Sequence, residues 1–506
     1  MENMKIGRVI VVLVLGMFVA ILNQTLVNVA IPHIMTDLNV TTTTVQWLST
    51  GFMLVNAVLI PISAFLIETF GTRSLFITAM LFFTLGSAVC GISTTFSLVL
   101  TGRLIQAAGA GILMPLVTNV FLRVFPREQM GKAMGTMGIA MMFAPAIGPT
   151  LSGYIVQSYS WRILFYMMVP LGIIEILLAL KWLTNISKPT YPKFDTLGAI
   201  FSTIGFGALL FGLSEAGSKG WTSGTVLGSL GIGIFFLILF VWRELSTEDP
   251  MLDLRVFKYD IFTLTTIVSI IVNMAMFGAM LLLPIYIQNI RGFTPLESGL
   301  LLLPGAIVMG IMSPIAGALF DRFGIRPLAI IGLLITTFTT YEFSKLTSES
   351  SYTHILWLYC ARSFGMSFIM MTIMTAGLNQ LPRFLSSHGT AMANTLRQIA
   401  SSMGTALLVT IMSTRTTDHL ADYANAITST NTYITDSINQ LGQDLAASAG
   451  LAPESGQGIA ISLINSMAAR QSSIDGINDA FIVATLITIA GLFVSFFLRN
   501  TPPTGS

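Results

Sequence analysis

The sequence predicts an all-α polytopic membrane protein of about fourteen transmembrane helices, arranged as two six-helix repeats with a two-helix insert between them. Three observations predict it. The 506 residues are 54% hydrophobic and only 9% charged, whereas a soluble domain carries roughly 25% charged residues, so hydrocarbon must solvate most of the surface. The apolar residues fall into runs of about 18 to 25, the length that crosses a bilayer. One segment of the first half also recurs in the second: Pro61-Ile-Ser-Ala-Phe-Leu-Ile-Glu-Thr-Phe-Gly-Thr-Arg73 matches Pro314-Ile-Ala-Gly-Ala-Leu-Phe-Asp-Arg-Phe-Gly-Ile-Arg326 at an offset of 253 residues.

In chain order, runs near 8–30, 47–67, 74–93, 97–121, 132–156 and 162–183 form the first bundle, residues 1–183. The first run follows Lys5 and Arg8, lacks a small-residue cleavage site and is long enough to span, so it reads as a membrane helix rather than a cleaved signal. Two inserted spans near 196–214 and 223–243 lie, with a linker, in residues 184–260. Six more, near 261–287, 298–319, 328–346, 354–378, 389–413 and 479–498, form the second bundle, residues 261–506. Eight spans separate the two copies, an even number, so the repeats are parallel and related by an axis along the membrane normal.

The segment at about 414–479 is rich in Ser, Thr, Asn and Asp and does not suit lipid. It reads as a long extracellular loop with weak helical runs at Asp418 to Ile427 and Ile459 to Arg470, either a lid or binding element or a solvated insert. An even number of spans puts both termini on one side. Sixteen Lys and Arg residues, among them Lys188, Lys193 and Arg255, then fall on the side of the termini against six on the other, which makes the termini cytoplasmic.

Several chemistries find no support. Cys90 and Cys360 fall in different apolar runs, without the spacing of a metal site, and the four histidines are isolated from one another. There is no nucleophile elbow and no phosphate loop, and no inner loop is long enough for a nucleotide-binding domain. No basic patch longer than a loop exists for nucleic acid. Transport must therefore draw on an ion gradient, with no cofactor.

The most unusual stretch is Gly135-Thr-Met-Gly-Ile-Ala-Met-Met-Phe-Ala-Pro-Ala-Ile-Gly-Pro-Thr-Leu-Ser-Gly153. Pro145 and Pro149 lie on one helical face, and each removes a backbone donor. The small residues let another helix approach closely.

On four signatures the chain resembles the fourteen-span drug:proton antiporter branch of the major facilitator superfamily over nearly its whole length. They are the repeated loop, fullest as Gly317-Ala-Leu-Phe-Asp321-Arg322-Phe-Gly324-Ile-Arg326; Gly102-Arg103-Leu-Ile-Gln106-Ala-Ala-Gly109; the antiporter stretch ending Gly148-Pro149-Thr-Leu-Ser152-Gly153; and Trp161-Arg162-Ile-Leu-Phe165 leading to Pro170-Leu-Gly172. Leu22-Asn-Gln-Thr-Leu-Val-Asn-Val-Ala-Ile-Pro32 and His388-Gly-Thr-Ala-Met-Ala-Asn-Thr-Leu-Arg-Gln398 are most similar to the bacterial lincomycin-resistance group. The resemblance implies a monomeric, multi-pass transporter in a bacterial cell membrane that exports amphipathic drugs, such as lincosamide-like compounds, against protons by alternating access. A dedicated exporter of one lipid, nucleotide signal or peptide stays open as the alternative, with a non-transporting sensor behind it.

The candidate site residues follow. Glu68 with Arg73, and Asp321 with Arg322 and Arg326, can form inner-gate latches across short loops. Arg103, which the family links to proton coupling, needs a partner or a wet cavity at its depth. Its repeat mate Arg362, and Arg397 in the following span, read as closing the second half. Where the family has a span-one carboxylate the chain has Asn23, which cannot titrate, so the proton falls to another acid: Glu175, about 13 residues into span six, then Glu215 near the outer end of span seven, then Glu342 in span eleven. Pro145, Gly148, Pro149 and Gly153 mark the antiporter helix. Asn23, Gln24, Asn28, Gln106, Asn273, Gln288 and Asn379 are the polar candidates for the substrate cavity, with Met114, Met141 and Phe143 as its soft apolar wall.

Overall fold

The computed structural model describes residues 2–186, 194–247, 250–426, 432–450 and 452–499, and every element in them is a helix or a turn. Lys188 and Lys193 and parts of the 414–479 segment, 427–431 and 451, lie outside the described residues.

The first half holds α1 (Glu2–Asp37), α2 (Thr42–Val45), α3 (Trp47–Phe70), α4 (Thr72–Gly91), α5 (Phe96–Val124), α6 (Met130–Ser158), α7 (Arg162–Tyr166) and α8 (Met168–Trp182). The inserted pair is α9 (Thr196–Lys219) and α10 (Gly224–Ser246). The second half holds α11 (Asp260–Ile285), extended by a π turn at Tyr286–Ile290, then α12 (Pro295–Phe323), α13 (Ile325–Phe343), α14 (Tyr352–Ser367), α15 (Met370–Asn379), α16 (Ser386–Ala426), α17 (Thr432–Ala449) and α18 (Pro453–Ser495). Helices occupy all fourteen expected places. Among the described residues, twelve are long and apolar enough to cross a membrane by length and composition. The other two places are α13, which carries Arg326 and Glu342, and α16, which carries Asn394, Arg397 and a run of hydroxyl residues.

The repeat is visible in the punctuation of the chain. α3 ends at Gly71 (φ +73°) and α12 ends at Gly324 (φ +79°). Both are left-handed positions that glycine takes without steric cost, and both motif glycines occupy them. It is visible in the packing too. The fifth span of the first half, α6, lies along the second span of the second half, α12, and reciprocally α16 contacts α3. The insert breaks this symmetry, because α9 packs against both α3 and α16 while α10 lies outside α9.

The segment expected as a long outer loop with two weak helical runs is helical through nearly all of its described residues, and the expected runs fall in α16 and α18. α16 and α18 run on past their membrane portions as a paired stalk, and α17 folds back on α18. At 43 residues α18 is about 64 Å long at 1.5 Å per residue, about twice the hydrocarbon thickness of roughly 30 Å. The cause is a ladder of polar pairs. Asp479 takes Arg415 Nε at 2.6 Å and His419 Nε2 at 3.0 Å, and Asp475 takes the Tyr423 hydroxyl at 2.8 Å. Arg415, His419 and Tyr423 are spaced by four residues, as are Asp475 and Asp479, so each set forms one helical face.

Candidate functional site

The two halves meet most closely along α6 and α12. Gly131 and Gly317 bring their backbones into contact with no room for a Cβ on either, and a Cβ on Gly135 would lie 2.6 Å from the Ser313 carbonyl oxygen. The Ser313 hydroxyl donates to the Gly135 carbonyl at 3.0 Å. Further along, Phe143 lies against Gly310, and Gly153 faces Leu296. The other small residues of α6 serve its own half: Gly148 packs on Thr25 of α1, and Ser152 donates to the Leu26 carbonyl at 2.7 Å. α6 runs unbroken through Pro145 and Pro149, because close neighbours on two sides hold it.

At one end of this seam the Asp321 carboxylate accepts the N–H of Gly131 at 2.7 Å and of Lys132 at 3.0 Å. The latch therefore differs from the expected one. It crosses from one half to the other, onto the unsatisfied donors and positive dipole end of α6, where a pairing with Arg322 and Arg326 across its own loop was expected; Arg322 stacks 5.2 Å over Phe323. Around it, Arg127 donates to the Leu381 carbonyl at 3.0 Å, Asn119 to the Ser387 hydroxyl at 3.0 Å, and Asn379 to the Arg127 carbonyl at 3.4 Å. Asn379 thus ties the halves together at this end.

The first-half latch differs as well. Glu68 lies 3.7 Å from His388 Nε2 at the start of α16, while Arg73 donates to the Leu180 carbonyl at 2.7 Å. His388 Nδ1 accepts the Asp253 N–H at 3.2 Å, which leaves the proton on Nε2, toward Glu68. α16 brings the histidine to α3, and the two residues are too distant in sequence for spacing to reveal it.

Deeper in the first half, Arg103 is fully buried. Its Nη1 donates to Asn23 Oδ1 at 2.9 Å and to Gln106 Oε1 at 3.0 Å, and its Nε to the Leu48 carbonyl at 3.3 Å. The guanidinium lies 4.1 Å over the Phe52 ring, and Gln106 Nε2 donates to Ser87 at 2.6 Å. Asn23 and Gln106 are thus brought together with Arg103, but their oxygens are committed to it. Asn23 Nδ2 has no partner among the described residues.

The remaining candidates are scattered. Asn28 accepts the Ser49 hydroxyl at 3.0 Å near the end of the bundle, Gln24 is half-buried, and Gln288 sits in the π turn. Met141 is buried in the first half's core. Glu215 is paired with Lys219 at 2.7 Å. Glu175 is 4% exposed with Oε2 unpaired, on a helix that packs chiefly on α1 and α4 rather than on the inserted pair. Trp161 and Arg162 both donate to Asp37, at 3.1 and 2.8 Å, and so fasten α7 to the end of α1.

One residue was misplaced by sequence reasoning. Arg397, expected to close the second half, reaches across to α5, where its Nη2 lies 2.7 Å from the sulfur of Met114. It lines a cavity of about 20 Å³ together with Thr265, Thr266, Ser269 and Asn273 of α11 and Met370 and Met374 of the α15 region.

Two mirrored helix contacts, α6 with α12 and α3 with α16, join the halves, and a buried polar cluster around Arg103 lies within the first half. The profile of the Major Facilitator Superfamily matches residues 13–405. The chain belongs to the major facilitator superfamily. It is 54% identical to the uncharacterized MFS-type transporter YhcA of Bacillus subtilis over 97% of this chain and 92% of that one. It is 38% identical to the lincomycin resistance protein LmrB of the same organism over 99% of this chain and 97% of that one. Among solved structures, the human organic anion transporter MFSD10 superposes with a TM-score of 0.61 over 97% of this chain and 99% of that one, at 11% identity, and so shares the fold.

Proposed function

We propose that this superfamily member is a proton-coupled exporter of amphipathic small molecules, lincosamide-like compounds among them, in a bacterial cell membrane with both termini in the cytoplasm. The observation that carries the reading is the latch of Asp321 on the amino-terminal turn of α6. It closes one end of the seam with two charge-assisted hydrogen bonds, which can be exchanged for water without breaking any element. That is what a gate requires, and a permanently fused pair of domains does not need it. The likeness to a lincomycin resistance protein over nearly the full length of both chains supports the substrate class.

Proton release has to reach this gate through a carboxylate. Glu175 is the favoured carrier over Glu215, because its Oε2 is buried without a partner whereas Glu215 already pairs with Lys219. From α8 a change of charge acts on α1 and α4, the helices that hold Asn23 and Ser87 against the Arg103 network. The test is uptake into proteoliposomes of labelled lincomycin and of a cationic dye, with and without an imposed pH gradient. Gradient-dependent accumulation of either supports the reading; accumulation of neither, by protein shown to be inserted and folded, removes it.

A further inference from the structure

The helices at and beside the seam carry no negative charge in their middle portions, while α5, α14 and α16 hold Arg103, Arg362 and Arg397 away from their ends. α5 and α6 contain no Asp or Glu, α11 has only Asp260 at its start, and α12 has only Glu297 and Asp321 at its two ends. In α14, α15 and the membrane portion of α16 there is none before Asp418. Arg103 is occupied by neutral acceptors. Arg397 is different. Among the described residues its hydrogen-bonding partner is the thioether of Met114, a weak neutral acceptor, so a residue that lines the cavity carries a guanidinium with no acidic partner.

Its position is central, between the two halves. Arg397 is eleven residues into α16, about 16 Å along the helix and so near the middle of a hydrocarbon core of roughly 30 Å. It projects from the second half onto α5 of the first. Across the cavity Asn273, 5% exposed, donates its Nδ2 to Ser269 but leaves Oδ1 without a partner. A residue with a fixed cation and one with an orphaned acceptor therefore line one cavity, with Met370 and Met374, side chains that adapt to varied apolar shapes, in its largely apolar wall.

We infer that Arg397 is an anion-binding subsite of the substrate pocket, which takes an anionic headgroup while Asn273 Oδ1 accepts a hydroxyl or amide hydrogen of the same ligand. The inference deepens the exporter reading and rests on it. An amphiphile that carries a carboxylate is preferred over its neutral or cationic counterpart, because the half-buried guanidinium has no acidic partner among the described residues and gains a charge-assisted pair only from the anion.

The test uses three fluorescent probes of one shape, 1-pyrenebutyrate, 1-pyrenebutanol and 1-pyrenebutyltrimethylammonium, with the full-length protein in liposomes. Equilibrium binding is measured for the native protein, Arg397→Gln and Arg397→Lys, and the ratio of carboxylate to alcohol affinity is read within each variant, so that loss of folded protein does not imitate the effect. The native ratio is expected to be about tenfold or more, the size of one charge-assisted hydrogen bond. It should fall toward one in Arg397→Gln and survive in part in Arg397→Lys. A native preference for the ammonium probe, or an anion preference unchanged in Arg397→Gln, overturns the inference. Gradient-driven movement is measured in parallel: transport of the alcohol without any carboxylate preference refutes the subsite and spares the exporter, whereas a carboxylate preference in binding with no transport of any probe spares the subsite and refutes the exporter.

Discussion

Asp321 caps a helix of the other half: its carboxylate lies 2.7 Å from the backbone nitrogen of Gly131, in the first turn of α6. A capping carboxylate at a helix amino terminus contributes about 1 kcal/mol. Asp321→Ala should therefore shift the population several-fold toward opening at this end. Leu381 is 1% exposed there, and its carbonyl holds Arg127 of the other half. In a background lacking Cys90 and Cys360, a Leu381→Cys thiol should be alkylated faster when Asp321→Ala is added. Equal rates would remove the latch.

The glycines make a sharper test because the same substitution has opposite consequences at different sites. Gly131→Ala places a Cβ against the Gly317 backbone, whereas Gly231 on α10 has nothing within 4 Å of a built Cβ. Overpacking costs about 1 to 3 kcal/mol, while relieving a helical glycine gains roughly 0.5 to 1 kcal/mol. Thermal unfolding in detergent should show Gly131→Ala melting below the native protein and Gly231→Ala at or above it. A Gly131→Ala variant with native stability contradicts the close seam.

Much of this was legible in the residues. Apolar runs placed the helices, and the repeated Gly-x-Arg of Gly71 and Gly324 marked two helix ends of the same handed geometry. What stayed illegible depends on contacts between distant segments. The carboxylate of Asp321 has arginines close in sequence, and charge proximity suggested them, yet backbone donors on α6 hold it. The stalk escaped detection because its spacing-of-four polar faces were read as loop composition. Arg397 could have been found by the absence of any acid in the middle portions of the neighbouring spans, a signal that shows only once it is known which spans adjoin.

Arg103 satisfies three acceptors: Asn23 Oδ1, Gln106 Oε1 and the Leu48 carbonyl. Arg103→Ala orphans the Asn23 and Gln106 oxygens, while the Leu48 carbonyl stays within helix α3, and unsatisfied buried groups cost about 1 to 3 kcal/mol each. Asn23→Ala leaves the guanidinium its other two partners. Detergent unfolding should therefore rank the native protein above Asn23→Ala, and Asn23→Ala well above Arg103→Ala. The reverse order would mean that the cluster does not hold the first half together.

The stalk should behave as a separate unit. Asp479 receives both Arg415 and His419 and pushes the Arg415 guanidinium above its ordinary value by hydrogen bonding. Exposed pairs contribute little singly, so Asp479→Asn should raise amide hydrogen exchange in 414–426 while exchange along the α6 and α12 seam stays at native rates. Faster exchange at the seam as well would show that the stalk and the gate are coupled.

Glu175 and Glu215 separate the two ways a membrane acid is accommodated. Glu215 is neutralised by Lys219 at 2.7 Å, so Glu215→Gln removes an ion pair near a helix end and should leave gradient-driven efflux within about a factor of two, the effect of a surface pair. Glu175 has a buried oxygen with no partner on a helix packed against α1 and α4. An ionised carboxylate there is costly, so its proton occupancy must change the packing free energy of those helices. Glu175→Gln fixes the neutral form and should abolish the dependence of efflux on a pH gradient while the protein reaches the membrane in native amount. Downhill movement of substrate should persist, since the variant keeps the seam and the pocket. Native gradient dependence in Glu175→Gln would return the coupling proton to some group outside α8.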